Sequence, residues 1–294
     1  MISFFTFAIL QAAPGDPVEL MLGEGQVQLT PEQRDAIMER WGLDKPWYEQ
    51  YYAWLRNFVT GDLGESIVRS GVPVQDMVFA AAIPTLKLNA LASGLAVAVA
   101  IPAGIIAAVR RYSAFDSATM IGASAGVALP NFWVGLMLII LFSLQLGWLP
   151  PFGSEGWESY VLPVFVLGIN EIALLTRLMR GTMLEVLGQD YVTTARSKGL
   201  SEYIVILQHA VRNALLPIIT VLGLRAAFLI SGSVVVESVF SRQGLGTLFI
   251  DSIYRFDFQV VQAIVVLLTI FVLLANIATD LLYAVVDPRI RLTK

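Results

Sequence analysis

The chain has 294 residues, 56% of them hydrophobic and only 14% charged, with a formal net charge of −4 and a mean hydropathy of +0.71. That balance excludes an ordinary water-soluble globular domain, which needs more polar residues to face water. Cysteine is absent, which also excludes disulfides, thiolate metal sites and cysteine nucleophiles.

Residues 1–13 are apolar, but at 1.5 Å per residue they reach only about 20 Å, short of the ~30 Å hydrocarbon layer. With no basic flank and no cleavage site they do not read as a signal peptide. They are expected to be a partial first transmembrane helix. Residues 14–83 read as an extracytoplasmic helical segment, and residues 13–83 hold eleven Asp or Glu against five Arg or Lys. Thr30-Pro31-Glu32-Gln33 is a capping box with proline at the first helical position, predicting a helix that stops at Gly42. Pro46 opens a second helix rich in aromatics (Trp47, Tyr48, Tyr51, Tyr52, Trp54), and Gly61-Asp62-Leu63-Gly64 turns the chain. The aromatics read as a packed cap at the membrane interface, where Trp and Tyr concentrate. The alternative is a landing surface for an external binding protein.

Five apolar runs follow in a core spanning 84–286: 84–109, 118–142, 160–179, 213–236 and 258–286. A transmembrane helix needs about 20 residues. The third run reaches that length if Arg177 extends its stem along the apolar surface. The runs lack the ten-residue alternation of barrel strands, so helices are expected. Between the third and fourth runs lies a polar, basic loop, 180–212, long enough for one or two helices. A chain that merely spans needs only a few turn residues there, so the loop predicts a docking element for a soluble partner. Residues 287–294 form a tail.

Basic residues alternate between sides. Arg110, Arg111, Arg177, Arg180, Arg196, Lys198, Arg212, Arg289, Arg291 and Lys294 fall on one side; only Arg242 and Arg255 occupy the short loops 143–159 and 237–257. The positive-inside rule puts the 180–212 loop and the C-terminus in the cytoplasm and the acidic segment outside.

The core carries few charges. Glu171 and Arg225 lie ~16 Å and ~18 Å into their runs, near the bilayer midplane. Intramembrane ionisable residues usually pair or line a watery path. The two are expected to face the protein interior, as a helix-locking ion pair or as contacts for substrate termini. Asn131, Asn170, Asn276 and Asp280 are further candidates for that polar interior. Gly122-Ala123-Ser124-Ala125-Gly126 fits the hydrolase nucleophile elbow. That motif needs a strand, a turn and a histidine partner, and the single histidine, His209, is in the polar loop. Gly122 and Gly126 read instead as a small-residue helix contact. His209 reads as a packing residue, because a metal site needs companion ligands. No Walker A pattern occurs.

Ordered motifs run along the chain: Ala13-Pro14-Gly15-Asp16-Pro17, Gly61-Asp62-Leu63-Gly64, Pro84-Thr85-Leu86, Leu129-Pro130-Asn131-Phe132, Tyr191 through Leu200, Val235 through Phe240, Gly244-Leu245-Gly246 and Asp287-Pro288-Arg289. Together they resemble the permease subunits of ABC importers in the dipeptide, oligopeptide and nickel branch. The general importer signature is Glu-Ala-Ala, then glycine, then Leu-Pro. Thr193 and Thr194 replace its first two positions, while Ala195, Gly199, Leu216 and Pro217 match; the departures resemble the peptide branch.

The resemblance implies an all-α integral membrane protein of the type I importer permease fold, with five full transmembrane helices and a shortened first one. It implies a chain that begins late relative to its family. It also implies a cell-membrane subunit without its own ATPase site, binding no cofactor, with ATP held by partner subunits. The implied partners are a second homologous permease, two ATP-binding cassette ATPases, an extracytoplasmic solute-binding protein and the lipid membrane, and no nucleic acid. Tyr191, Thr193, Thr194, Ala195, Arg196, Lys198, Gly199 and Leu200 become the candidate ATPase-coupling residues. Small side chains let a short helix sit close to another surface, Tyr191 offers an aromatic anchor, and Arg196 and Lys198 could pair with acids on the partner. Peptides are the implied cargo, with nickel, glutathione or sugars as alternatives. An ATP-independent secondary transporter is the competing class, but inverted repeats and several midplane acids would be expected of it; no convincing repeat is seen.

Overall fold

The computed structural model describes residues 2–11, 30–69 and 71–286. Two compact units are formed, Met1–Thr85 with Gln243–Phe271, and Leu86–Arg242 with Val272–Lys294. Twelve helical elements carry the argument: α1 (Ile2–Gln11), α2 (Pro31–Trp41), α3 (Trp47–Val59), α4 (Val74–Val109), α5 (Ala114–Ala128), α6 (Asn131–Leu138, continuing as a π-helix over Ile139–Gln145), α7 (Glu158–Leu187), α8 (Asp190–Ser197), α9 (Glu202–Arg225), α10 (Leu229–Val239), α11 (Leu245–Tyr254) and α12 (Phe258–Val286). The expected motifs at 13–17 and 287–289 lie outside the described residues.

In the first unit, the expected caps form. Thr30 Oγ1 accepts from Gln33 N and Thr30 N donates to Gln33 Oε1, so both ends of the capping box close; α2 ends at Gly42. The aromatics of α3 pack on α1: Tyr51 contacts Phe4 and Phe7, each 5.5 Å between ring centroids, and stacks on Trp54 at 6.3 Å. The loop after Gly64 is fastened by Asp257, buried to 3% exposure, which accepts from the Ser66 hydroxyl and from Ile67 N.

The second unit is a helix bundle whose core follows from residue size. Ala92, Ala96, Ala100, Gly104 and Ala108 recur every four residues on α4, so they share one face. The four alanines are 0–3% exposed. Leu175, Met179 and Met183, again four apart, present the complementary bulk from α7 and are fully buried with Ala210, Ala214 and Ile218 of α9. Small residues let membrane helices approach closely, where dispersion and weak polar contacts replace the hydrophobic drive. Gly104 shows how close: a Cβ there would lie 2.6 Å from Met179 Cβ and 3.0 Å from the Thr176 carbonyl oxygen. Gly104→Val is therefore expected to destabilise the fold by about 1–3 kcal/mol, the usual range for overpacking. A thermal melt in detergent would register it, and an unchanged midpoint would contradict this packing.

Among the described residues, four helices are long and apolar enough to cross a membrane, α4, α7, α9 and α12, or five if the bent pair α5 and α6 is one span. The expected run 258–286 coincides with α12. The expected run 118–142 is not one straight helix: α5 and α6 meet at 103°. The cause is local. Proline disfavours the helical region for the residue before it; Leu129, preceding Pro130, is extended at φ −86°, ψ 128°. Likewise 213–236 is not one helix, since α9 begins at Glu202 and gives way after Arg225 to a 3₁₀ turn over Ala226–Phe228. The Gly122 and Gly126 contact is half right: Gly126 faces Ala173, whereas Gly122 meets nothing and Ala123 is the other buried position.

Candidate functional site

The 180–212 segment is more compact than a loop. α7 runs through 187, and α8 is set off by Gln189 and Gly199. Within α8, Val192 and Ala195 stand three apart, hence on one face. They are 0% and 6% exposed and form a small apolar cluster with Val205 of α9, against which Val186 and Leu187 of α7 pack. The helix is thus bolted to the ends of two long helices. Its ends are also held. Asn213 Nδ2 donates to the Tyr191 hydroxyl at 2.9 Å, and Gly199 turns the chain out at φ +78°, a left-handed conformation that favours glycine.

This sorts the candidate residues. Thr193, Thr194, Arg196, Lys198, Gly199 and Leu200 lie on the exposed side, with Tyr191 at 42% exposure. Ala195 does not; it is an anchor for the helix, not part of its outer face. Nor is Arg196 an open cation. It grips Glu202 two-pronged, Nε to Oε2 at 3.1 Å and Nη2 to Oε1 at 2.7 Å, across the Gly199 turn. Lys198 forms no ion pair among the described residues, so it is the available positive charge of the two. The exposed face is small, hydroxylated and mildly basic, suited to docking rather than bond-making.

The intramembrane candidates separate differently. Glu171 and Arg225 form no ion pair among the described residues. Glu171, 6% exposed, accepts from the Ser93 hydroxyl of α4, at 3.2 Å to Oε1 and 3.0 Å to Oε2, its one side-chain partner among the described residues. Arg225 sits at the last residue of α9, half-buried, beside the 3₁₀ turn. Depth in the sequence run had suggested the pair, but depth does not fix which face a residue occupies. Asn170 and Asn131 do meet: Asn170 Nδ2 donates to Asn131 Oδ1 at 2.6 Å, tying α7 to the first residue of α6 at the proline bend. Asn170 Oδ1 is buried without a partner among the described residues. Asn131, Asn170, Glu171 and Ser93 therefore mark one polar neighbourhood beside the broken span. Asn276 and Asp280 lie instead on exposed positions of α12.

One strong contact was not anticipated. Asp116, 3% exposed, receives Arg180 Nε at 2.5 Å and Nη2 at 2.8 Å and the Tyr112 backbone N–H at 2.9 Å. By sequence alone Arg180 is one of ten basic residues on one side of the membrane. Asp116 follows the basic pair Arg110-Arg111 and lies in the first turn of α5, behind the N-cap Ser113, where an acid is favoured by the helix dipole. Removing one partner of a buried pair leaves an uncompensated charge. Asp116→Ala is expected to cost about 3 kcal/mol, measured by chemical unfolding in detergent; a change within experimental error would mean the pair is not holding α5 on α7. Arg242 plays a comparable part elsewhere: buried, it donates to the Gly153 and Ser159 carbonyls at 2.9 and 3.1 Å and lies over the Tyr160 ring.

Comparison with known proteins matches this arrangement to a family. Residues 100–292 match the binding-protein-dependent transport system inner membrane component, and residues 1–94 match the N-terminal part of such membrane components. The chain is 43% identical over 98% of its length, and 94% of the relative's, to the oligopeptide transport system permease protein AppB of Bacillus subtilis (strain 168). It is 40% identical over 99% of its length, and 94% of the relative's, to the glutathione transport system permease protein GsiC of Escherichia coli (strain K12). Among solved structures, the inward-facing MetNI methionine ABC transporter superposes with a TM-score of 0.57 at 17% identity, covering 72% of this chain and 97% of that one. An amino acid ABC transporter crystallised with histidines gives 0.52 at 19% identity, covering 71% and 93%. These two show the fold alone. The chain is an all-α, multi-pass membrane protein, and it belongs to the binding-protein-dependent transport system inner membrane component family, the permease subunits of ABC importers.

Proposed function

We propose that this permease imports short peptides, and that α8 with Gly199 and Leu200 is the surface on which an ATPase subunit pushes. The observation that carries the coupling reading is the two-sided character of α8, with Val192 and Ala195 sealed against α7 and α9 while the opposite face is open. A force on the exposed face is delivered to two long helices through a packed interface, and packed interfaces move as rigid bodies. No bond is made or broken by this chain; ATP is bound and hydrolysed on two partner subunits. A second permease completes the pore, and an extracytoplasmic binding protein delivers cargo to the side opposite α8. The α8 face and the C-terminus lie in the cytoplasm, on the side where the basic residues gather.

The names of the similar proteins support peptide cargo, and glutathione, nickel or sugars are the alternatives. Within the pore, Glu171 is proposed to receive the cationic end of the cargo, because a carboxylate with one hydroxyl partner keeps most of its acceptor capacity. Isolating the tagged permease from its own cells, identifying the ATPase that accompanies it, and competing labelled dipeptide uptake with peptides, nickel and sugars tests the reading. Uptake that no peptide inhibits, or a permease that works without an ATPase, would overturn it.

A further inference from the structure

Arg225 closes α9 ~18 Å beyond the polar pair Arg212-Asn213, and α10 carries the chain on through Val239. The guanidinium is therefore near the bilayer midplane. A charge facing lipid is costly there, and ionisable residues at that depth face the bundle interior or a watery path. Arg225 is half-buried, so part of its surface is open to a ligand, and its neighbours Leu224 and Phe228 are 60% and 61% exposed. Among the described residues no acid neutralises it. Asp116 is held by Arg180, and Glu202 by Arg196. Glu171 accepts from Ser93. Asp280 follows Thr279, which abuts Gly223 of α9, yet it forms no ion pair with Arg225.

The chemistry of the side chain narrows its partner. Guanidinium stays charged and offers a planar fork that matches a carboxylate with two parallel hydrogen bonds. The 3₁₀ turn Ala226–Phe228 adjoins Arg225, and helices broken near the midplane are where transported solutes are commonly held. A second permease or the cargo is a possible source of that carboxylate, and Glu171 favours the cargo. It is a charge of opposite sign near the same depth, on α7, against which α10 packs. Two opposite charges in one bundle, not spent on each other, complement a ligand that carries both signs. An arginine that only faced a neighbouring subunit would need no such counterpart.

We propose that Arg225 binds the terminal carboxylate of a free short peptide while Glu171 receives its ammonium, so that the cargo is read as a zwitterion. This rests on the import reading above. Exchanging the two charges does not create a reversed site, because Glu171 is 6% exposed and an arginine there overpacks the bundle. The test uses the transporter isolated with its ATPase into lipid nanodiscs, without binding protein. Radiolabelled alanylphenylalanine is bound in equilibrium dialysis and competed by the same peptide or by its C-terminal amide. Saturable binding at one site per copy of this chain is expected, with the acid preferred over the amide at least about tenfold. Arg225→Gln is expected to weaken the acid to the level of the amide and so erase the preference, whereas Arg225→Lys keeps the charge and retains it. A merely structural arginine would leave that preference unmoved. If Arg225→Gln fails to assemble, Arg225→Met replaces it, with the same loss expected. No saturable binding, equal competition by acid and amide at the wild type, or an unchanged preference in the assembled variant overturns the site. Equal competition together with a variant that sheds the second permease assigns Arg225 to a carboxylate of that subunit instead. With the binding protein added, a complex that takes up no peptide sinks the import reading. One that takes up alanylphenylalanine equally through wild type and Arg225→Gln sinks only the carboxylate site.

Discussion

Val192→Asp is expected to abolish uptake of the proposed peptide cargo while the protein still inserts and assembles its main bundle. Val192 is 0% exposed and its cluster holds only Ala195 and Val205 as further buried members, so docking of α8 rests on roughly 2–3 kcal/mol of apolar burial. An aspartate at that position adds a desolvation penalty of several kcal/mol, which exceeds the docking energy. Undocked α8 then outweighs docked α8 by at least about 100-fold, the factor that ~2.7 kcal/mol represents. The main core of α4, α7 and α9 contains neither residue, so the melt midpoint of the bundle is expected to stay close to wild type. Val192→Ala gives a partial loss of uptake, and Thr194→Ala, on the open face, leaves the fold untouched. Full uptake by a folded Val192→Asp protein would mean that α8 does not transmit the stroke.

The second large effect is expected at Glu171. Glu171→Gln keeps the side-chain volume and its contact with Ser93 but removes the charge. If the carboxylate receives a cargo ammonium, the lost charge-assisted hydrogen bond is worth about 1.5–3 kcal/mol, or roughly 10–100-fold in uptake efficiency at low peptide concentration. N-acetylated peptides, which lack the ammonium, are expected to discriminate little between wild type and variant. Reversing both charges, Glu171→Arg with Arg225→Glu, is expected not to restore uptake, because the two residues are not partners. Rescue by the double reversal would reinstate the ion pair; equal loss for acetylated and free peptides would make Glu171 a purely structural residue.

Local chemistry was the most legible part of the sequence. The Thr30 capping box, the stop at Gly42 and the limits of α12 follow from residues whose signals act within one helical turn or along one uninterrupted apolar run. Hydropathy failed where it averages over a break. Residues 118–142 are uniformly apolar, yet Leu129-Pro130 divides them, and the proline in plain view was the better guide. The spacing of four from Ala92 to Ala108 is an equally visible small-residue stripe, and it lines the core, whereas of Gly122 and Gly126 Gly126 is the one in contact.

In the candidate site, the existence of a short helix was readable and its orientation partly so, since Val192 and Ala195 are its apolar members three apart. The closure of Arg196 on Glu202 was not, because it depends on the path taken after Gly199. Pairings between distant residues, Asp116 with Arg180 and Asn131 with Asn170, are properties of the packed bundle. Charge and depth alone offer too many combinations to select them.

This chain has no cysteine, so a thiol introduced into it is unique within the chain and reports the exposure of α8 directly. Thr194→Cys and Val192→Cys should be compared in the assembled transporter, with an impermeant thiol reagent applied to each face of sealed vesicles and a short bifunctional cross-linker added. Position 194 is expected to be labelled only from the cytoplasmic face and to cross-link to the ATPase in a nucleotide-dependent way, while position 192 does neither. Labelling of position 194 from the opposite face, or a cross-link to the ATPase from neither position, would contradict it.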